Sequence, residues 1–304
     1  MELRDIEYFA VVGEHGHLGR AAESLGLSQP ALSKSLRRLE QAIGAKLVKR
    51  TSKGVEITAA GTALRSHVRR LRLALSDVAR EVADIGRGRA GQLRVGGNQP
   101  AIVYVLPVMC GAFLKQAPKV TLKVTAGGAD VILPALRNGQ LDLAIGLYPA
   151  APEGFVQEQL MADEFVVYAS VDHRLTRLKQ VTIADLARER WALGAATVPD
   201  WQWLHRVFED SGLGPPQVAM ETSSTLLRLH AVAETDLLGF VPRQFVRRAA
   251  AHLRLVELPV KGVPWPCRLS VRYRKDAYLS PVARRFIELL KKTAKEISEE
   301  HREP

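Results

Sequence analysis

The clearest pattern in the sequence lies in residues 21–61, which read AAESLGLSQPALSKSLRRLEQAIGAKLVKRTSKGVEITAAG. A short helical pattern ends at Gly26, and a second one begins at Ser28, a good N-cap with a proline in the turn that follows. Apolar residues of the second helix recur at spacings of 4, 3 and 4 and form one buried stripe: Leu32, Leu36, Leu39 and Ile43. These patterns predict two helices joined by a tight turn, an arrangement known as a helix-turn-helix.

The opposite face of the second helix is polar and basic. Gln29 can pair bidentately with adenine, and Ser33 can hydrogen-bond a base or a phosphate. Lys34 can reach guanine or phosphate, whereas Arg37 and Arg38 lie further along and can neutralise backbone charge. A single exposed charge is usually only solvated. The set as a whole indicates a DNA-reading helix.

Residues 47–58 predict two short strands joined by a turn, and Lys49, Arg50 and Lys53 cluster at that turn. This hairpin is interpreted as a wing whose tip touches phosphates or the adjacent minor groove. The predicted DNA-binding residues are Ser28, Gln29, Pro30, Ser33, Lys34, Arg37, Arg38, Arg50, Thr51 and Lys53.

Residues 18–61 resemble the DNA-binding domain of LysR-type transcriptional regulators. Helix, turn, recognition helix, wing and the Thr-x-x-Gly of residues 58–61 follow one another in the family's order. The chain departs from the family pattern at His17 and Gly19, where a Ser or Thr is common near the start of the second helix, and at Val48, where an aromatic is common. The resemblance implies a sequence-specific transcription regulator.

The composition is that of a globular protein with a basic excess. The 304 residues are 47% hydrophobic and 25% charged, and the formal net charge is +11. Residues 1–90 hold 16 Lys and Arg against 10 Asp and Glu, over half of the surplus. This distribution favours an anionic partner, with nucleic acid first and an anionic membrane surface second.

Several classes of protein are disfavoured. The charged N-terminus does not resemble a signal peptide, and no long apolar run predicts a transmembrane helix. Cys110 and Cys267 cannot build a disulfide framework or complete a zinc site; a redox pair between them is a minor alternative. No metal-ligand spacing, Walker loop or Rossmann fingerprint is visible. We expect a cytoplasmic protein that is no enzyme and has no cofactor, metal or membrane partner.

Residues 59–91 predict a long helix and a hinge. The helix follows Thr58, and GRGRAG at residues 86–91 is typical of a flexible joint. Apolar residues alternate at spacings of 4 and 3, as in a coiled coil, and form the predicted dimerisation set of Leu64, Val68, Leu71, Leu75, Val78 and Val82. The alternative is a helix that buries the same stripe against its own domain.

From residue 92 the sequence alternates strand and helix patterns, which predicts an α/β region with largely parallel sheets. Strands are expected at residues 92–97, 120–126, 141–146, 165–170, 237–241 and 268–273. The resemblance implies a two-lobe, periplasmic-binding-protein-like effector domain. The predicted division is a winged helix-turn-helix domain at 1–58, a linker at 59–91 and an effector domain at 92–304, with lobe 1 at about 92–161 and 267–304 and lobe 2 at about 162–266.

Ligands of such folds bind at the carboxyl ends of strands, where helix N-termini can hold a carboxylate. The predicted effector is therefore a small organic anion. Its predicted contacts are Asn98, Gln99, Pro100, Gly127, Gly128, Thr197, Trp201, Thr222, Ser223 and Phe240. Glycine-rich turns and Ser/Thr runs are also ordinary joints and caps, and this plainer interpretation stays open for each residue.

The predicted function is a transcription regulator that responds to a small-molecule effector. The resemblance implies a homodimer or homotetramer on an interrupted palindromic operator in double-stranded DNA, with RNA polymerase as a further candidate partner. The alternatives are a constitutive DNA-binding protein without an effector response, and a solute-binding protein of the same fold.

Overall fold

The computed structural model describes residues 2–52, 54–87, 91–195, 199–250, 252–261 and 265–299. The chain divides into two compact units, residues 1–83 and 84–304. None of the helices in these described ranges is long and apolar enough to span a bilayer.

The expected helix-turn-helix and wing are present in the first unit. In chain order the elements are α1 (Leu3–His15), α2 (Leu18–Ser24), α3 (Gln29–Ile43), β1 (Val48–Thr51), β2 (Gly54–Ile57) and α4 (Ala59–Arg87). The two strands pair antiparallel. Gly26 follows α2 with a left-handed φ of +65°, as the turn between the two helices requires. Phe9, Leu32, Leu39 and Leu47 are among the fully buried residues of the core.

A histidine caps α2 in place of the Ser or Thr that is common in the family. The backbone N–H of Gly19 donates to His17 Nδ1 at 3.1 Å. One of the free N–H groups of the helix terminus is thereby satisfied, so the departure from the family pattern keeps the cap.

The Thr-x-x-Gly motif joins the wing to α4. Thr58 Oγ1 accepts from the backbone N–H of Gly61 at 3.0 Å and donates to the carbonyl of Lys46 at 2.7 Å. A Cβ at position 61 would lie 2.1 Å from the carbonyl oxygen of Leu47. Only glycine allows this approach, which explains the motif's last residue.

The structure divides the predicted dimerisation stripe of α4 in two. Val68 is 4% exposed and belongs to the core of the first unit, and Leu64 is partly buried against the same core. The prediction that Val68 lies in the dimer seam was wrong, because it packs within its own domain, whereas the seam role of the partly buried Leu64 stays a prediction. The remaining four residues are exposed: Leu71 by 42%, Leu75 by 51%, Val78 by 57% and Val82 by 63%.

The second unit is a two-lobed α/β domain. Its elements are β3 (Gln92–Gly97), α5 (Leu106–Gln116), β4 (Thr121–Ala126), α6 (Ala129–Arg137), β5 (Leu143–Leu147), β6 (Phe155–Ser170), α7 (Ile183–Leu186), β7 (Arg190–Leu193), α8 (Pro199–Asp210), β8 (Gln217–Glu221), α9 (Thr225–Ala233), β9 (Leu238–Pro242), α10 (Arg243–Ala249), β10 (Leu255–Glu257), β11 (Pro266–Arg274) and α11 (Pro281–Glu299). A π-helical segment, Ala101–Val105, precedes α5.

The strands follow the order β4-β3-β5-β11-β6-β9-β7-β8, and β10 pairs with β6. Strand β6 is longer than predicted because its first part pairs with β11 in lobe 1 and its second part with β9 and β10 in lobe 2. The expectation of largely parallel sheets was wrong. Strand β11 pairs antiparallel with both of its neighbours, β5 and β6. Strands β9 and β10 also pair antiparallel with β6. These pairs arise because β6 and β11 cross between the lobes in opposite directions.

Candidate nucleic-acid interface and effector region

Helix α3 and the wing form one open groove in the first unit. The groove is lined by Gln29, Pro30, Ser33, Lys34, Arg37 and Arg50. The described residues of this lining include three cations and no acid, so the groove favours a polyanion. An Arg50 Nη2 group donates to Ser33 Oγ at 3.5 Å, which links the wing to the helix.

Helical geometry explains this arrangement. Gln29, Ser33 and Arg37 are spaced four residues apart, so they share one face of α3. The buried stripe of the same helix includes Leu32, Leu36 and Leu39, which fixes that polar face outward.

Two other predicted DNA contacts, Ser28 and Thr51, are not among the described residues that line this groove. Ser28 Oγ accepts from the backbone N–H of Ala31 at 3.4 Å and caps α3. Thr51 Oγ1 donates to the carbonyl of Gly54 at 3.5 Å within the hairpin. Lys53 lies outside the described residues.

Arg38, a predicted DNA contact, also supports the fold. Its Nε donates to Asp5 Oδ2 at 2.9 Å, and Ser35 Oγ donates to Asp5 Oδ1 at 2.6 Å. The carboxyl group of Asp5 is fully buried, and the bond from Arg38, with that from Ser35, outweighs desolvation and lowers its pKa to about 2. Arg38 therefore ties α3 to α1.

A second buried acid, Glu40, positions the wing. Its Oε1 accepts from the backbone N–H groups of Leu47 at 3.0 Å and Val48 at 3.4 Å, and its Oε2 accepts from Lys46 at 2.7 Å. Burial opposes the charge, yet these hydrogen bonds lower the pKa of Glu40 below its ordinary value. Glu40 was not among the residues predicted from the sequence. Its position, four residues after the apolar Leu36, could have indicated a buried acid.

In lobe 1 the predicted effector residues follow adjacent parallel strands. The side chain of Asn98 crosses the end of β5, where its Nδ2 donates to the carbonyl of Leu147 at 3.3 Å and its Oδ1 is buried without a partner. A Cβ on Gly146 would lie 2.5 Å from Asn98 Cγ, so this close approach needs glycine. Gly127 donates its N–H to the carbonyl of Gly97 at 3.1 Å. Three further predicted residues adjoin these ends: Gln99, Pro100 and Gly128.

In lobe 2 the predicted residues precede or begin helices. Thr222 Oγ1 accepts from the backbone N–H of Ser224 at 3.2 Å in the turn, which also contains Ser223. Trp201 lies in the first turn of α8 and stacks on His205 with ring centroids 3.5 Å apart. Thr197 lies outside the described residues.

Phe240 was predicted to line the effector cleft, and this prediction was wrong. Its side chain is 1% exposed, stacked on Phe165 at 5.0 Å between centroids and in edge contact with Trp265 at 4.8 Å. The ring is therefore part of the core of lobe 2. Within the described residues, no disulfide joins Cys110 and Cys267.

Two family models match the chain: the bacterial regulatory helix-turn-helix protein, lysR family, at residues 3–62, and the LysR substrate binding domain at residues 86–295. The chain belongs to the LysR family. The uncharacterized HTH-type transcriptional regulator YdcI of Escherichia coli (strain K12) is 30% identical over 295 residues, which cover 96% of each chain. The regulator CbbR of Xanthobacter flavus is 31% identical over 297 residues, covering 95% of this chain and 87% of CbbR.

Solved structures of LysR regulators share the fold. Full-length CbnR in complex with its target DNA matches with a TM-score of 0.55 and 23% identity, covering 97% of this chain and all of CbnR. This LysR protein is therefore a DNA-binding transcriptional regulator with an effector-binding domain, and not an enzyme.

Proposed function

We propose that this LysR regulator reads an interrupted palindromic operator with the groove between α3 and its wing, and that a small organic anion controls it. The observation that carries the proposal is the groove itself, where amide, hydroxyl and cationic groups meet on one exposed face. Gln29, Ser33 and Lys34 near the start of α3 would contact base edges. Arg37 and Arg50 would contact phosphates. The similarity to CbnR, which was solved with its target DNA, supports this use of the fold.

The outer part of α4 supports the proposed dimer. Leu71, Leu75, Val78 and Val82 keep the coiled-coil spacing and are exposed in the single chain. Packing them against a second copy would bury this stripe and hold two DNA-binding heads together. A homotetramer, built from two such dimers, would engage both halves of an operator. We also propose that the protein contacts RNA polymerase and is located in the cytoplasm.

The strand ends of lobe 1 support an organic anion as effector. The beginning of α6, where Gly128 provides no side-chain cap, offers backbone N–H donors for a carboxylate. The Oδ1 of Asn98, which has no partner, is an acceptor and would bind a hydroxyl or another donor group of the same ligand, not its carboxylate. The ligand would bind one arrangement of the lobes better than another and so change DNA binding.

Footprinting on the DNA upstream of the regulator's own gene tests the proposal. The expected result is a protected, interrupted palindrome whose footprint shortens or shifts with one member of a panel of small carboxylates. Titration calorimetry with the same panel measures binding directly. Binding of neutral or cationic compounds alone would contradict the organic anion, and a footprint indifferent to every compound would favour a constitutive DNA-binding protein.

A further inference from the structure

A buried arginine in lobe 2 has no countercharge. Arg228 lies in the first turn of α9 and is 6% exposed. Its Nη2 donates to Thr225 Oγ1 at 3.0 Å, while its Nε and Nη1 are buried without a hydrogen-bond partner. No carboxylate in the described part of the chain forms an ion pair with it. A buried guanidinium normally needs a paired charge or a full set of acceptors.

Two other shielded arginines of the effector domain meet this requirement. Arg94 pairs with Asp142 at 2.6 Å, and Arg243 pairs with Glu257 at 2.8 Å. Arg272 lacks a carboxylate and its Nε is buried without a partner, but its Nη2 donates to the carbonyl of Pro149 and to the Oε1 of Gln157, both at 2.5 Å. Arg228, with a single hydroxyl as acceptor, has the fewest acceptors of these four.

Helix α9 packs against β6, and the phenol of Tyr168 on β6 supplies no negative charge to Arg228. Tyr168 is fully buried, and its Oη has no partner. Its ring lies against β9, where a Cβ on Gly239 would be 2.1 Å from Tyr168 Cζ. Burial raises the pKa of Tyr168 more than the positive charge of Arg228 lowers it. The phenol therefore stays protonated at neutral pH and offers an O–H donor.

The groups around Arg228 are suited to an anion. The guanidinium has two nitrogens without a partner, Nε and Nη1, the phenol has one unused O–H, and α9, nine residues long, begins at Thr225. The Oγ of Ser224 caps this helix by accepting the N–H of Leu227 at 3.3 Å. The positive end of the helix dipole thus adds to the charge of the guanidinium. Charge-assisted hydrogen bonds to one anion would satisfy these donors together.

We propose that Arg228, Tyr168 and Thr225 form a buried site in lobe 2 for one small anion with a single negative charge, either a halide or the carboxylate of a small organic acid. In the same turn of α9, Leu226 is 61% and Leu227 is 51% exposed. An occupied site would stabilise the start of α9, directly after the turn that contains Thr222 and Ser223. The proposal does not depend on the operator or on the effector of lobe 1.

Thermal unfolding of the full-length protein at fixed ionic strength tests the site. Chloride, formate or acetate replaces a bulky sulfonate anion in steps. The wild-type protein should gain stability in a saturable way with at least one small anion, and Arg228→Met should lose that dependence. A response to chloride alone assigns the site to a halide, and a response to formate or acetate assigns it to a carboxylate.

The matched control is Arg272→Met, which removes a buried arginine that already has acceptors and should keep the dependence. Tyr168→Phe should weaken the anion's apparent affinity by about tenfold, because one hydrogen bond to a charged group is lost. An equal response in wild type and Arg228→Met, a flat response in both, or loss of the response in Arg272→Met would overturn the proposal.

If Arg228→Met does not fold, wild-type crystals soaked in bromide decide the matter. An anomalous peak between the Arg228 guanidinium and Tyr168 Oη is the expected result. Its absence would overturn the site.

Discussion

Particular buried polar groups of the DNA-binding unit and of the effector-binding domain differ in how fully they are hydrogen-bonded. In the first, the buried carboxylates Asp5 and Glu40 accept several hydrogen bonds each and hold α1, α3 and the wing in place. In the second, buried atoms of Asn98, Tyr168 and Arg228 have no partner. A surface that reads DNA benefits from a rigid support. A domain that responds to ligands can keep some buried donors and acceptors unpaired, so that a ligand can bind them. The predictions below test this contrast.

The largest expected effect comes from breaking a satisfied pair in the first unit. Arg38→Ala leaves the buried Asp5 with Ser35 as its remaining side-chain donor, so we expect a loss of about 2 kcal/mol in the free energy of unfolding. The neighbouring Arg37→Ala is the matched control. It should change stability by less than about 0.5 kcal/mol and instead weaken DNA binding. Chemical denaturation and fluorescence anisotropy measure the two quantities, and equal destabilisation by both changes would contradict the assigned roles.

The wing arginine should matter for all DNA sequences alike. Arg50→Ala removes one proposed phosphate contact, so affinity should fall by about the same factor on operator and random DNA. The slope of log affinity against log salt should also decrease by about 1. Anisotropy titrations at several salt concentrations measure this slope. An unchanged slope would place Arg50 away from the phosphates.

Acid should weaken the first unit through Asp5. Its pKa is lowered from 3.8 to about 2 in the folded chain, so ionised Asp5 contributes stability above the unfolded value. That contribution should disappear as the pH falls from about 4 to about 2. Comparing the pH dependence of unfolding for the wild-type protein and Asp5→Asn isolates this contribution. Parallel curves for the two proteins would contradict it.

The smallest expected effect on stability lies in the effector domain. Asn98→Ala removes a single hydrogen bond, to Leu147, so unfolding should change by about 1 kcal/mol or less. The effector-dependent shift of the footprint should nevertheless be lost. The exposed Asn138→Ala in the same lobe is the control and should keep that shift. A normal effector response in Asn98→Ala would remove this residue from the proposed site.

Local sequence patterns predicted the elements that depend on local spacing. The helices, the turn at Gly26 and the wing follow from short-range periodicity and from residues with strong positional preferences. Long-range partners could not be predicted in this way. Arg37 and Arg38 look alike in the sequence, and only the fold brings Asp5, 33 positions away, to Arg38. The coiled-coil spacing likewise could not show that Val68 is already buried within its own domain.

The missed strands have a related cause. Residues 190–193, 217–221 and 255–257 are short segments with mixed polarity, and their pairing depends on strands far away in the chain. The antiparallel pairs could not be foreseen because they arise where β6 and β11 cross between the lobes. Phe240 lies on β9 between β6 and β7, and its ring contacts Phe165 and Trp265 from distant parts of the chain, so its burial was not visible in the sequence.

The most direct test of the central claim is the affinity of Gln29→Ala for operator and for random DNA, measured side by side by fluorescence anisotropy. If the groove at α3 reads bases, the variant should lose about 1–3 kcal/mol on the operator and much less on random DNA. Equal losses on both sequences would contradict base recognition by Gln29 and by the groove it lines.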